Sequence, residues 1–302
     1  MQTGLIECVP NVSEGRDRRV IQALGDAIEA AGAQLIDVHS DVDHHRSVFT
    51  YLGLSEVVEL ATLALARTAV QLIDLTKHRG AHPRVGAIDV IPFVPLCGAT
   101  MDGAGAAAHR VGRAFAEETG VPVFLYGEAA TSESRRELPA LRRGGFEQLS
   151  ERMCHPEWRP DAGPSAPHPT AGATLIGART LLIAFNSVLE SDDVALAKAI
   201  AVVVRESSGG LPAVRAMGVS LASRGLVQVS MNLLNYRRTP VSVVAERIEG
   251  ETRRRGTRVL EYELVGCSPA EVFNQWPSHL APIAGLKPSQ LLDRALFAPV
   301  TL

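Results

Sequence analysis

Four cysteines in 302 residues, Cys8, Cys97, Cys154 and Cys267, stand far apart with no C-x-x-C spacing. That argues against a disulfide frame or a cysteine zinc site and fits reduced thiols. No apolar run approaches the roughly 18 residues of a membrane span. No basic segment precedes the first apolar run, and Glu7, Pro10 and Asn11 interrupt it, so no secretory leader pattern is present. A cytoplasmic location is expected. No excess of positive charge exists either: 30 Lys and Arg face 33 Asp and Glu, a net charge of −3. Neither nucleic acid nor an acidic membrane is an expected partner. What remains, 46% hydrophobic and 21% charged residues, is the composition of a globular chain long enough for one large or two ordinary domains.

Histidine and arginine crowd together in one stretch rich in glycine and proline. The stretch His78-Arg79-Gly80-Ala81-His82-Pro83-Arg84-Val85-Gly86 sets two histidines and two arginines among two glycines and a proline, then gives way to the apolar run Ala87 to Val94. This is a conformationally specialised loop feeding a buried strand. Pro83 fixes its own φ and holds His82 extended. An imidazole aimed this way suits proton transfer, because its free pKa of about 6.5 lies near neutral pH.

The rest of the chain alternates strands and helices. Residues 4–9 read as a strand, 11–15 as a polar turn, and 17–31 as a helix stopped by Gly32. Strands 33–38 and 47–53 are joined by a charged loop, and Ser55 is expected to cap a helix to about Asp74. Strand 87–94, a helix over 102–119, a strand over 121–126 and a polar helix over 133–151 follow. Arg135, Arg136, Glu137, Arg142 and Arg143 are read as the solvated face of that last helix. Residues 155–172, with five prolines, are expected to be a crossing segment between two units. A second unit then repeats the order: strand 180–186, a helix from a cap at Ser191 to about Ser207, strands 212–219 and 226–234, a helix from Thr239-Pro240 to about Arg255, and strand 258–265. Ser268-Pro269-Ala270-Glu271 is read as a capping box opening a short helix. Each unit thus reads β-α-β-β-α-β, an α+β class of fold in the split-βαβ (ferredoxin-like) arrangement. Two related lobes with a substrate site between them are expected, divided as 1–178 and 179–302.

Several motifs occur together and in order: Glu7-Cys8-Val9-Pro10-Asn11-Val12-Ser13-Glu14-Gly15-Arg16, Asp43-His44-His45-Arg46-Ser47-Val48, His82-Pro83-Arg84-Val85-Gly86-Ala87, Val121-Pro122-Val123-Phe124-Leu125-Tyr126-Gly127, Gly172-Ala173-Thr174-Leu175-Ile176-Gly177-Ala178-Arg179, Leu182-Ile183-Ala184-Phe185-Asn186 and Gln228-Val229-Ser230-Met231-Asn232-Leu233. Over residues 5–266 the chain resembles the formiminotransferase family, the glutamate formiminotransferases of histidine breakdown. The resemblance implies two similar α/β subdomains with a ligand tunnel between them, and a homodimer. It implies transfer of a formimino group from N-formimino-L-glutamate to N5 of tetrahydrofolate as co-substrate, with no metal.

The family's catalytic histidine falls on His82, which would take a proton from the attacking nitrogen and return it to the leaving one, a role typically contributing 10²–10⁴-fold. The substrates are anions, and Arg46, Arg84 and Arg179 are candidates for their carboxylates because a planar guanidinium binds carboxylate in bidentate fashion. Asn11, His45 and Asn186 complete the substrate set. The family's folate-contacting segment falls on Gly163-Pro164-Ser165-Ala166-Pro167-His168-Pro169-Thr170-Ala171-Gly172. The chain departs from the family pattern at His39, His45, Ser187, Val188 and Glu261-Tyr262-Glu263, changes that bear on the donor. Two rival readings stay open: formyl transfer between 5-formyltetrahydrofolate and glutamate, and a non-catalytic folate binder. A metal site built from Asp37, His39, Asp41, Asp43, His44 and His45, with His78 and His82, matches no ligand spacing of the H-E-x-x-H or cysteine-histidine kind.

Overall fold

The computed structural model describes residues 4–274, 276–293 and 296. The chain divides into two compact units, a first running to Thr180 and a second beginning at Leu181.

The first unit starts with β1 (Leu5–Cys8) and β2 (Asn11–Val12), then α1 (Arg18–Ala30), β3 (Gln34–Asp41), β4 (Arg46–Leu54), α2 (Ser55–Leu72) and β5 (Ile88–Pro95). It continues with α3 (Met101–Thr119), β6 (Val123–Gly127), the short α4 (Leu138–Arg142) and α5 (Leu149–Arg152), and β7 (Thr174–Ala178). β3 pairs antiparallel with β4, and β4 pairs with both β1 and β2, which pair on their other side with β5. β7 then lies parallel to β5, and β6 parallel to β7. Helices α1, α2 and α3 cover one face through Leu24, Ile28, Val58, Leu65, Val111 and Phe115, packed on Cys8, Phe49, Tyr51, Ile91 and Phe93. The buried β5 is apolar throughout save Asp89.

The helix ends follow local chemistry. Asp17 caps α1 by accepting from the Arg19 amide, and Thr100 caps α3 by accepting from Gly103. Gly120 closes α3 in the left-handed conformation. Ser55 does not cap α2: it is the first helical residue, and its hydroxyl donates to Glu59.

Three further expectations fail in the first unit. The polar stretch 133–151 is not one helix. Pro139 sits in the first turn of α4, and the left-handed Gly144 and Gly145 end it, leaving two short pieces. Its face is not simply solvated, because Arg135 pairs with Asp161 at 2.8 Å and Arg142 pairs with Asp89, both acids being nearly buried. Nor is 155–172 a free crossing segment. Ala162 bridges Val123, Gly172 bridges Gly86, and the chain runs straight into β7 inside the first sheet. The motif Thr174 to Ala178 is that strand, entered from the left-handed Gly172.

The second unit holds β8 (Ile183–Leu189), α6 (Val194–Val204), β9 (Val214–Leu221), β10 (Leu226–Leu233), α7 (Val241–Arg254) and β11 (Val259–Val265), with the two-residue β12 (Ser268–Pro269) and β13 (Leu291–Leu292) pairing beyond them. Its four-stranded sheet runs β11-β8-β10-β9, all antiparallel. Ile200, Val204, Val244 and Ile248 of the helices pack on Phe185, Leu189, Val229 and Tyr262. Phe185 and Tyr262 stack at 5.0 Å, with Trp276 edge-on to both. The caps differ from expectation. Asp193, not Ser191, accepts from the Ala195 amide to start α6, and Thr239 donates to the Pro212 carbonyl rather than capping α7. A 3₁₀ turn, Ala270–Val272, stands where a short helix was expected. Asn186 is not at a strand end but in the middle of β8, opposite Ser230 and Glu263.

Candidate active site

The histidine-rich loop lies against the turn between β3 and β4. That turn is built by Asp41, whose carboxylate accepts from the Asp43 and His44 amides at 2.8 and 2.7 Å. The loop is tied to it by the Ala81 amide donating to the Asp43 carbonyl. Gly80 permits the approach: a Cβ there would stand 2.3 Å from the His44 carbonyl oxygen. Gly86 does the same on the far side, where a Cβ would meet the Ala173 carbonyl at 2.0 Å. Ser13, His44, His45, Arg46, His78, His82, Arg84 and Asp89 line one small cleft.

At its centre Arg46 Nη1 donates to Asn11 Oδ1 at 3.0 Å and meets His82 Nε2 at 2.8 Å. A guanidinium can only donate, so Nε2 carries the lone pair and the proton sits on Nδ1. Burial, then the positive charges of Arg46 and Arg142, hold the His82 imidazole well below the usual histidine range, with His44 adding to them. His82 is therefore neutral at pH 7, the state required of a base. Burial lowers Arg46 itself to about 10, and the charge on Arg142 adds to this. Among the described residues Arg46 makes its hydrogen bonds through Nη1 alone and pairs with no carboxylate.

A second chain of contacts braces the loop. His78 Nε2 donates to the His45 carbonyl at 2.8 Å, while Arg84 Nε donates to His78 Nδ1 at 3.0 Å. The His45 and His78 rings stack at 4.2 Å and 8°. His45 Nδ1 faces the Arg79 carbonyl, and its Nε2 faces Glu14 at 3.2 Å. Burial pushes His78 down to about 4. Arg84 is spoken for, since both its Nη atoms hold Glu147 at 2.9 and 2.7 Å, which lowers that carboxyl. Below the loop, Asp89 accepts from the Val85 amide at 2.7 Å and from Arg142.

The structure thus brings Asn11, Arg46 and His82 into direct contact and places His45 and Arg84 in the adjoining brace. Arg179 follows β7, with Nη1 donating to the Thr180 carbonyl. Asn186 lies in the second unit, 4% exposed. The 163–172 segment is exposed over residues 163–166 and held at its other end. There His168 Nδ1 accepts from the Ala171 amide at 3.0 Å, Ala171 accepts from Ala87, and a Cβ on Gly172 would stand 2.1 Å from the Val85 carbonyl. Sequence reasoning passed over Ser13, Glu14, Asp89, Arg142 and Glu147 as site residues. Asp89 carried a usable signal, because a lone acid inside an apolar strand needs a partner. Among the described residues no group of three His, Cys, Asp or Glu is arranged to hold a metal ion. No helix among them is long and apolar enough to cross a membrane.

Two family models match the chain: the N-terminal subdomain of the formiminotransferase domain over residues 5–179, and the formiminotransferase domain over 184–281. A glutamate formimidoyltransferase of Streptococcus pyogenes is 40% identical over 270 residues, 89% of this chain and 90% of that protein. One of Thermoplasma acidophilum is 40% identical over 97% of each chain. A formimidoyltransferase-cyclodeaminase of Gallus gallus is 44% identical over 89% of this chain and 51% of its own length.

Proposed function

The chain belongs to the formiminotransferase family, and we propose that it is a glutamate formimidoyltransferase acting with tetrahydrofolate as co-substrate. It moves the formimino group of N-formimino-L-glutamate to N5 of tetrahydrofolate, in histidine degradation and one-carbon metabolism. The observation that carries this reading is the His82 and Arg46 pair: a neutral imidazole with its lone pair on Nε2, beside a guanidinium that no carboxylate among the described residues occupies.

The chemistry runs through that pair. N5 attacks the formimino carbon and a C–N bond forms. His82 Nε2 takes the proton that N5 sheds. The tetrahedral intermediate collapses as the bond to the glutamate nitrogen breaks, and the imidazolium returns the proton to that nitrogen. Products are 5-formimino-tetrahydrofolate and glutamate. Arg46 holds a substrate carboxylate, with Asn11 fixing its orientation. Arg84, engaged with His78 and Glu147, holds the loop. His45 braces the loop from the turn. The 163–172 segment receives folate, its exposed half free for a flat ring and its anchored half fixed to the strand that follows His82. Arg179 and Asn186 belong to the same substrate set.

The finer architecture is part of the proposal. Strand orders β3-β4-β1/β2-β5 and β9-β10-β8-β11, with helices in matching places, support a split-βαβ arrangement in each unit. The change of unit after Thr180 supports an N-terminal subdomain over 1–178 and a C-terminal one over 179–302. The ligand tunnel, a homodimer and a cytoplasmic location rest on the family resemblance.

The test is turnover by the purified protein of tetrahydrofolate with N-formimino-L-glutamate, run beside 5-formyltetrahydrofolate with glutamate. Formation of 5-formimino-tetrahydrofolate, abolished in His82→Ala, is expected. Turnover only of the second pair replaces formimino with formyl transfer. No turnover of either, with tetrahydrofolate still bound, leaves a folate binder and removes the reaction.

A further inference from the structure

The contact between Arg46 and His82 poses a problem for a base. A lone pair already engaged by a guanidinium at 2.8 Å cannot accept the substrate's proton. The same charge that engages it also opposes its protonation. We infer that Arg46 locks His82 in the empty enzyme, and that the carboxylate of the glutamate-type substrate opens the lock by taking the guanidinium for itself. The inference rests on the function proposed above and adds to it the order of events.

The physical basis is competition between two acceptors. A guanidinium–carboxylate pair is charge-assisted, shorter and roughly twice as strong as a bond between neutral groups. The Nη1 bond to imidazole carries charge on the guanidinium side only, so a carboxylate, charged as well, is the stronger acceptor. Among the described residues nothing else satisfies Arg46: its other bond is to the neutral amide of Asn11. The acids nearest in effect are engaged, Asp41 by the turn amides and Asp89 by Arg142 and the Val85 amide. When the substrate carboxylate arrives, Nε2 is released and the charge opposing its protonation is neutralised. The charged and titratable groups facing His82 are Arg46 from β4, Arg142 from α4 and His44 from the β3–β4 turn. Arg142 is held by Asp89 whether or not substrate is present. His44 faces Asp41 at 3.7 Å, and its ring is 6.2 Å from that of His82. Only Arg46 changes partner.

Histidine-selective isotope labelling and NMR titration test this, with L-glutamate as the probe, its dimethyl ester as the control lacking carboxylates, and His82→Gln to assign the signal. In the free protein His82 should show an unprotonated Nε2 that titrates well below 6.5. Saturating glutamate should raise that midpoint by at least one unit, a tenfold gain in proton affinity, and the ester should not. In Arg46→Gln the free-protein midpoint should already be raised, and glutamate should move it no further. In kinetics, the acid limb of kcat should lie at higher pH than that of kcat/KM, and Arg46→Gln should bring the two together. If glutamate binds and turnover occurs but the His82 midpoint stays put, the lock is wrong and the transferase reading stands. If glutamate fails to bind at millimolar concentration and the enzyme turns nothing over, both fall. Should Arg46→Gln not fold, the glutamate titration of the unaltered protein decides alone.

Discussion

The two units use the same turn differently. In the first, the chain passes from β3 into β4 through residues 42–45, and the last of these, His45, sits at φ +50°. In the second, the chain passes from β9 into β10 through Ala222–Arg224 and Gly225, and Gly225 sits at φ +63°. Both turns end in a left-handed residue immediately before a strand. Glycine takes that conformation freely, whereas a side chain costs about 1–2 kcal/mol there. The first unit accepts the strain, and its His45 side chain stacks on His78 and reaches Glu14 and the Arg79 carbonyl. The second unit has no such use for a side chain: nothing lies within 4 Å of a Cβ built on Gly225. At this turn, strain is accepted where the side chain is used and avoided where it is not; the other left-handed non-glycine, Ala213 before β9 at φ +56°, lies outside the comparison.

If the aimed loop carries the chemistry, its histidine is the most sensitive point. His82→Ala should lower turnover by about 10²–10⁴-fold with little change in the urea midpoint, measured by steady-state kinetics and denaturation in parallel. An unchanged rate would break the comparison at once, because the strained turn would then support nothing.

The next effect is on stability. Arg142→Ala strips the partner from Asp89, which is 2% exposed, and leaves a buried carboxylate with only the Val85 amide. A loss of about 3–5 kcal/mol is expected in chemical denaturation. Arg258→Ala in the second unit breaks an exposed, solvent-screened pair with Glu190 and should leave the denaturation midpoint nearly unchanged.

A pH effect of similar kind follows from His78. Its folded pKa, about 4, lies below the unfolded value of about 6.5. Between those values the unfolded chain binds the extra proton, so stability is full above pH 6.5 and declines as pH falls towards 4. The shift corresponds to about 3 kcal/mol. Denaturation at pH 7 and pH 4.5 should show a smaller difference in His78→Gln than in the unaltered protein. An identical difference would mean that the brace titrates elsewhere.

The smallest effects compare the turns directly. His45→Gly should stabilise the fold by about 1–2 kcal/mol while slowing turnover, whereas Gly225→Ala should destabilise by about 1–2 kcal/mol and leave turnover alone. A loss of both stability and rate in His45→Gly would show that the stacking on His78 outweighs the strain.

Much of this was legible along the chain because it is local. Periodicity placed α1, α3, α6 and α7 and most strands to within a few residues, since side-chain burial repeats with the backbone period. The loop at residues 78–86 stood out because glycine, proline and charge serve no packing purpose in such density. The brace was not legible. Arg142 read as one of several surface arginines, and only the fold sets it against Asp89, 53 residues away. β7 was missed because a strand buried among parallel neighbours has no alternation, and its reach back to β5 crosses a proline-rich stretch that reads as a linker.

By itself, then, the sequence determined most of the element order and the family, and it pointed to His82 as the residue proposed to move a proton. It could do so because those depend on residue type and spacing. Only the tertiary structure decided that Arg84 is held by Glu147 and His78, while Arg46, with no acid among the described residues to hold it, reaches the Nε2 of His82. Two arginines of the same type and pattern differ because the partner of a long side chain is set by which distant residues the fold brings within 3 Å, a matter on which local pattern is silent.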